Sequence, residues 1–454
     1  MILSEYFCTD KSFYRRVAAI ALPICLQQVL NSTMGIVDSA MVSRIGGITA
    51  VGTANNITDI AGSFAFGITS GICIYLTQYF GAKKEWEQKK VFSLGLLACA
   101  ATNLLCILAV VLFGPQMMGF YVSDPAVVEQ ATIYLRIVAL SFIPNSMVLM
   151  FAFAYRSAQR TVVPFVIGLI GAAVNCILNY LLIFGSFGFP ALGIAGAAIA
   201  TLIANVVNLV LHVAYAKKTR QSFFGSLFAA KGLSFFQLEA IANRAMPLVF
   251  NEVIFGFGST LYIKAFGALG NAALESYYVG NQVSQIFAFI TVGMSSAISS
   301  ILGNTLGKND IALAKKQGQY FVGISLVFSV LTVGFVYAFA RPFASVFSIS
   351  SPQAFADAVA IVRIFSIKIA LRMFIVLVFA CLRAGGDSRF LVFLDCGMMW
   401  LVGIPLTWLC VYGFHMGSIT EVFLIIQIEQ VIRMALGLVR YKRGAWLKNL
   451  TEEG

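Results

Sequence analysis

Apolar runs of twenty or more residues recur along this chain, separated by short stretches rich in glycine, proline or charge. Twelve such runs cover approximately residues 17–44, 49–80, 91–113, 128–155, 162–184, 192–216, 240–266, 272–306, 318–340, 358–382, 390–413 and 417–440. A helix that crosses a bilayer needs about 20 predominantly apolar residues. The pattern therefore predicts an all-α membrane protein with twelve transmembrane helices. The first run is too long, and too polar at Asn31, Ser32 and Thr33, for the core of a cleaved signal, and is expected to remain as the first span. Composition agrees with this reading. Hydrophobic residues make up 59% and charged residues 11% of the chain, where a soluble domain carries about 25% charged residues. So little polar surface cannot wrap 40 Phe in water.

Charge adds an orientation. When the loops are assigned alternately to two sides, twenty-three Lys and Arg fall on one side and two, Arg44 and Arg341, on the other. Short cytoplasmic loops collect Lys and Arg, so both termini are expected in the cytoplasm and the protein in the cytoplasmic (inner) membrane. The net charge of +12 is spread over these loops. It reads as a topology signal whose natural partner is anionic lipid headgroup in the bilayer, and not as a nucleic-acid surface. Nine Cys are scattered through apolar stretches without a C-x-x-C pair, beside only His212 and His415. They are expected to be small buried hydrophobes, not metal ligands or disulfides.

The halves of the chain resemble one another. Ala21-Leu22-Pro23 and Ala245-Met246-Pro247 are offset by 224 residues, Gly81-Ala82-Lys83 and Gly307-Lys308-Asn309 by 226, and Arg156-Ser157-Ala158 and Arg383-Ala384-Gly385 by 227. Near-constant offsets at three anchors point to a duplication. The expected organisation is an N-terminal six-helix lobe over residues 1–216, a basic cytoplasmic linker over 217–239, and a C-terminal six-helix lobe with a short tail over 240–454. Six is even, so the copies form a parallel repeat about an axis along the membrane normal, an architecture suited to alternating access.

Three stretches carry a family resemblance: Val37-Asp38-Ser39-Ala40-Met41-Val42-Ser43-Arg44-Ile45-Gly46, Gln78-Tyr79-Phe80-Gly81-Ala82-Lys83 and Leu382-Arg383-Ala384-Gly385-Gly386-Asp387-Ser388. In order and spacing the chain resembles the multidrug and toxic compound extrusion (MATE) family along essentially its whole length. The resemblance implies a secondary antiporter, acting as a monomer without a cofactor, that expels organic, often cationic, compounds in exchange for protons or sodium ions.

Intramembrane charge is costly, so each instance is a functional candidate. Asp38 lies in the outer half of the first span, Asn175 and Asn179 are four apart on one face of the fifth, and Thr201 is on the sixth. In the family, an acid, an Asn–Asp pair and a Thr at these places build a cation site. Asn179 departs from that pattern, because relatives often hold a second acid there. Its amide weakens a dedicated sodium site, since hard cations prefer charged oxygens, and tilts the expectation toward protons. Asp59, beside Asn55 and Asn56, reads equally as cavity lining or as local polar packing.

In the second half, Asn251-Glu252 matches an acidic family position, whereas Lys368 and Arg372 stand where one branch has an acid. Glu252 and Arg372 fall at similar depth, which suggests either a salt bridge between the seventh and tenth spans or a cation left for an anionic substrate group. Glu429 and Arg433, four apart, suggest an internal pair. Pro23, Pro144, Pro247 and Pro405 lie within spans and can bend them. Met34, Tyr262, Tyr278, Phe287 and Met294 are candidates for the lining of a promiscuous cavity. No phosphate-binding loop, zinc-ligand cluster or hydrolytic triad is visible, so the chain is not read as an enzyme. The alternative is a flippase-like exporter of a lipid-linked or anionic metabolite, and a membrane enzyme or receptor is more remote.

Overall fold

The computed structural model describes residues 3–345 and 352–452, and among them there are helices and connecting turns but no strand. Eleven helices among the described residues are long and apolar enough to cross a membrane unaided. A twelfth span is a bent pair, Pro125–Ala139 and Phe142–Ser157, which meet at 48°. In chain order the spans are Lys11–Ser43, Ile48–Gly81, Glu85–Tyr121, the bent pair, Val162–Phe184, Gly193–Lys218, Phe235–Gly267, Asn271–Gly307, Ile311–Ala338, Pro352–Ala384, Ser388–Gly413 and Ile419–Lys442. Several overrun the apolar runs. The third begins at Glu85 instead of residue 91, because Glu85 and Glu87 suit the positive end of the helix dipole although they are polar.

Pro23, Pro115 and Pro247 lie inside long helices, whereas two other prolines are placed where the missing donor matters less. Pro144 falls in the first turn of Phe142–Ser157, where backbone N–H groups have no intrahelical partner anyway. Pro405 follows a π-helical turn at Met399–Gly403 in the eleventh span, and the wider turn eases the clash between the ring and the carbonyl four residues earlier. Two more π-helical turns, Phe393–Gly397 and Leu409–Gly413, widen the same span.

The chain divides into two compact units, one formed by Pro23–Val249 and the other by Met1–Leu22 with Phe250–Glu452. The division passes through the first and seventh spans, at Pro23 and just after Pro247, and not through the linker at 217–239. Side-chain packing within each unit explains the assignment. Phe13 sets its ring against Tyr320 and Phe321 at 5.4 Å, which ties the start of the first span to the second unit. In the first unit, Gly67 and Gly71 let the backbone at Val249 and Ala245 approach where a side chain would collide. The linker is packed as well: Ser93 donates to the Ser226 carbonyl at 2.9 Å and Lys90 to that of Gly232 at 3.3 Å.

Candidate functional site

In the first unit, four expected residues form one hydrogen-bonded chain. Asn179 donates through Nδ2 to Asp38 Oδ1 at 2.6 Å and to Asn175 Oδ1 at 3.2 Å. Asn175 in turn reaches Thr201 Oγ1 at 3.5 Å, and Thr201 donates to the Ala197 carbonyl at 3.0 Å. Asn175 and Asn179 are buried and Asp38 is half-buried. Asn179 Oδ1 is buried without a hydrogen-bond partner among the described residues. Such an orphaned acceptor is costly, and it sits in the same side chain that binds the carboxylate. Tyr134, also buried, lies within electrostatic range of Asp38. Thr201 additionally lines a cavity of about 100 Å³ with Thr58, Asn103, Asn145 and Asn205, a polar space of a size that holds water.

A close helix approach sets this geometry. The fifth span ends at Gly185 in the left-handed region (φ +70), and Leu192 N–H donates back to the Leu182 carbonyl at 2.8 Å. The sixth span then presents Gly196, where an added Cβ would lie 2.5 Å from that same carbonyl oxygen. Gly196→Ala should therefore push Thr201 away from Asn175. Overpacking of this kind costs about 1–3 kcal/mol. The expected outcome is a lower melting temperature of the purified protein together with weaker transport.

Asp59 does not join the chain; it is exposed, with no side-chain hydrogen bond among the described residues. Its neighbour Asn56 turns back onto the Gly52 and Thr53 carbonyls of its own helix. Met34 is half-buried in the first span.

The second unit contains a cavity of about 530 Å³. Tyr262, Tyr278, Phe287, Lys368 and Arg372 are on its wall, as are Glu429 and Arg433. Met294 is packed inside at 5% exposure instead of facing this space. No ion pair joins Arg372 to Glu252 among the described residues. The ionic knot forms elsewhere. Arg433 binds Asp395 Oδ1 at 2.9 Å, the Asp395 carbonyl at 3.0 Å, and Glu429. Glu429 also accepts from Gln430 at 3.0 Å, and Asp395 Oδ2 accepts from the buried Asn251 at 3.0 Å. Glu252 is half-buried beside this knot. Lys368 places its ammonium over the Phe365 and Phe423 rings, 4.8 and 5.6 Å from their centroids.

Asp395 is the residue that sequence reasoning overlooked. An acid inside Phe393-Leu394-Asp395-Cys396, in the middle of an apolar run, was the available signal. It sits in the π-helical turn Phe393–Gly397, a kind of irregularity that often marks functional places.

The family model described as MatE matches residues 23–181 and 247–409, so each matched stretch starts at one of the mid-span prolines. The chain is 26% identical over 452 residues to an uncharacterized transporter, YisQ, of Bacillus subtilis, covering 97% of this chain and 96% of that one. It is 23% identical over 451 residues to a probable multidrug resistance protein, NorM, of Thermotoga maritima, covering 97% and 95%. Among solved structures, a MOP superfamily transporter from Pyrococcus furiosus superposes with a TM-score of 0.85 at 16% identity over 96% of both chains. The bent form of the Vibrio cholerae MATE transporter VcmN does so with 0.84 at 19% identity, over 96% of this chain and 97% of that one. At these identities the two structures establish a shared fold.

Proposed function

This chain belongs to the MatE family, and from that premise we propose that it exports small organic compounds across the cytoplasmic membrane, driven by inward flow of a small cation through the Asp38 cluster. Export would proceed by alternating access, with both termini in the cytoplasm as the charge bias expects. The observation that carries the reading is the pairing of a half-buried carboxylate, Asp38, with a buried amide, Asn179, whose oxygen has no partner among the described residues. An incoming proton or cation answers both needs at once. It neutralises the carboxylate, and the amide can then offer its oxygen where it previously offered its N–H groups.

Protons are the favoured ion. The cluster holds one carboxylate among three neutral groups, whereas a sodium site gains from several charged oxygens. The proposed cargo is small and organic, in line with relatives named as multidrug resistance proteins, and its export needs no cofactor.

The test is dye export measured in everted membrane vesicles with proton and sodium gradients imposed separately. An acid lumen alone should drive dye accumulation, and a sodium gradient alone should drive little. Asn179→Asp adds the second carboxylate and should raise the response to sodium. Export driven by sodium alone in the parent protein would overturn the choice of ion, and absence of export under either gradient would overturn the exporter reading.

A further inference from the structure

The tenth span, Pro352–Ala384, carries Lys368 and Arg372 one turn apart and so on one face. Lys368 is the middle residue of this 33-residue helix, about 24 Å from either end at the usual helical rise. Charges at that depth are retained only where something interacts with them. Three cations line the cavity of the second unit, Lys368, Arg372 and Arg433, against one acid, Glu429. Glu429 is held by Arg433, which also takes Asp395. Asn251 occupies the other oxygen of Asp395. Lys368 and Arg372 are left with neither an ion pair nor a hydrogen bond among the described residues, and the rings beneath Lys368 offer its ammonium protons no lone pair.

We propose that this cavity binds the anionic head of an organic compound, with Lys368 and Arg372 recognising a carboxylate, sulfonate or phosphate and the aromatic wall seating an apolar body. For its consequence in transport this inference rests on the exporter reading above; for binding it does not. About 530 Å³ falls within the range of roughly 300–1,000 Å³ that accommodates a drug-sized ligand. Phe266 and Tyr277, 4.8 Å apart, and Tyr262, stacked on Phe266 at 6.3 Å, supply the apolar surface. Asn281 and Gln427 add neutral polar groups to the same wall. A guanidinium matches a two-oxygen head in its fork geometry, and an ammonium one turn away adds a point charge. An organic cation would instead meet two charges of its own sign on the cavity wall.

Binding to the full-length protein in phosphatidylcholine nanodiscs tests this without any gradient. The probes share one body and differ in the head: 1-naphthoate, 1-naphthylmethanol and 1-naphthylmethylammonium. Naphthoate should bind at least about tenfold more tightly than the other two, and Lys368→Gln and Arg372→Gln should each weaken it by about tenfold. Lys368→Arg keeps the charge and should preserve binding. If the glutamine variants do not purify, the ranking of the three heads by the parent protein decides alone. Cation binding equal to that of naphthoate, or unchanged naphthoate binding in both glutamine variants, would overturn the proposal. Adding phosphatidylglycerol to the discs identifies the source of the head. Competition with naphthoate assigns the site to a lipid headgroup, and unchanged affinity assigns it to a soluble organic acid. Because no gradient is used, naphthoate can bind as expected even if the vesicles show no export, so the two readings fail separately.

Discussion

Replacing Asp38 by asparagine is expected to reduce gradient-driven export to the background of vesicles that lack the protein, while the protein stays folded. Asparagine has nearly the shape of aspartate, and its amide oxygen can accept from Asn179 Nδ2 as the carboxylate does at 2.6 Å. The change in stability should therefore stay within about 1 kcal/mol, the net worth of one hydrogen bond. What disappears is the ability to gain and lose a positive charge. With ionised Asp38 the Asn179 amide must point N–H groups at the acid; with a protonated acid it gains by turning its oxygen there, which relieves the buried Oδ1. The substituted side chain offers an oxygen and an N–H₂ at every pH, so nothing forces the amide of Asn179 to turn and no ion is carried. Export in everted vesicles and the melting temperature of purified protein are the two readouts. Exchange of dye without a gradient should persist, because the path for the compound is not altered. Export at the parent rate would remove Asp38 as the coupling group.

The spans were legible because lipid imposes a strong, long-range demand on composition: twelve apolar runs became eleven single helices and one bent pair. Their ends were not, since Glu85 and Glu87 extend a helix on account of its dipole, to which a count of apolar residues is blind. The division into units was also hidden. Hydropathy starts the first span at about residue 17 and says nothing of Phe13 packing on Phe321. In the first unit, polarity in an apolar background singled out Asp38 and a four-residue spacing put Asn175 and Asn179 on one face, but it was the family resemblance that joined them with Thr201 in one site. In the second unit, depth alone matched Glu252 with Arg372, but partner choice depends on how each helix is rotated. The wide turn at Phe393–Gly397 instead delivers Asp395 to Arg433.

Removing Arg433 is expected to have the largest effect on stability. Its side chain is 2% exposed, and it is the cation shared by Glu429, 5% exposed, and Asp395. Buried ion pairs contribute little net stability over apolar substitutes, but deleting one partner leaves uncompensated charge in a low-dielectric interior and costs about 3–5 kcal/mol. Arg433→Met strands two carboxylates, so a fall in melting temperature on the order of 10 °C is expected for a unit of this size. Fluorescence of Trp400, Trp408 and Trp446, all in the same unit, can report it. Neutralising the acids as well, in Arg433→Met with Glu429→Gln and Asp395→Asn, should restore most of the loss, and a single variant that melts within a degree or two of the parent would refute the knot. The same substitution reaches the cavity. Freed from Arg433, Glu429 becomes a partner for the cations on its own wall, so Arg433→Met should weaken naphthoate binding although Lys368 and Arg372 are intact. The triple variant should recover it, because the acid that competes with the ligand is then gone.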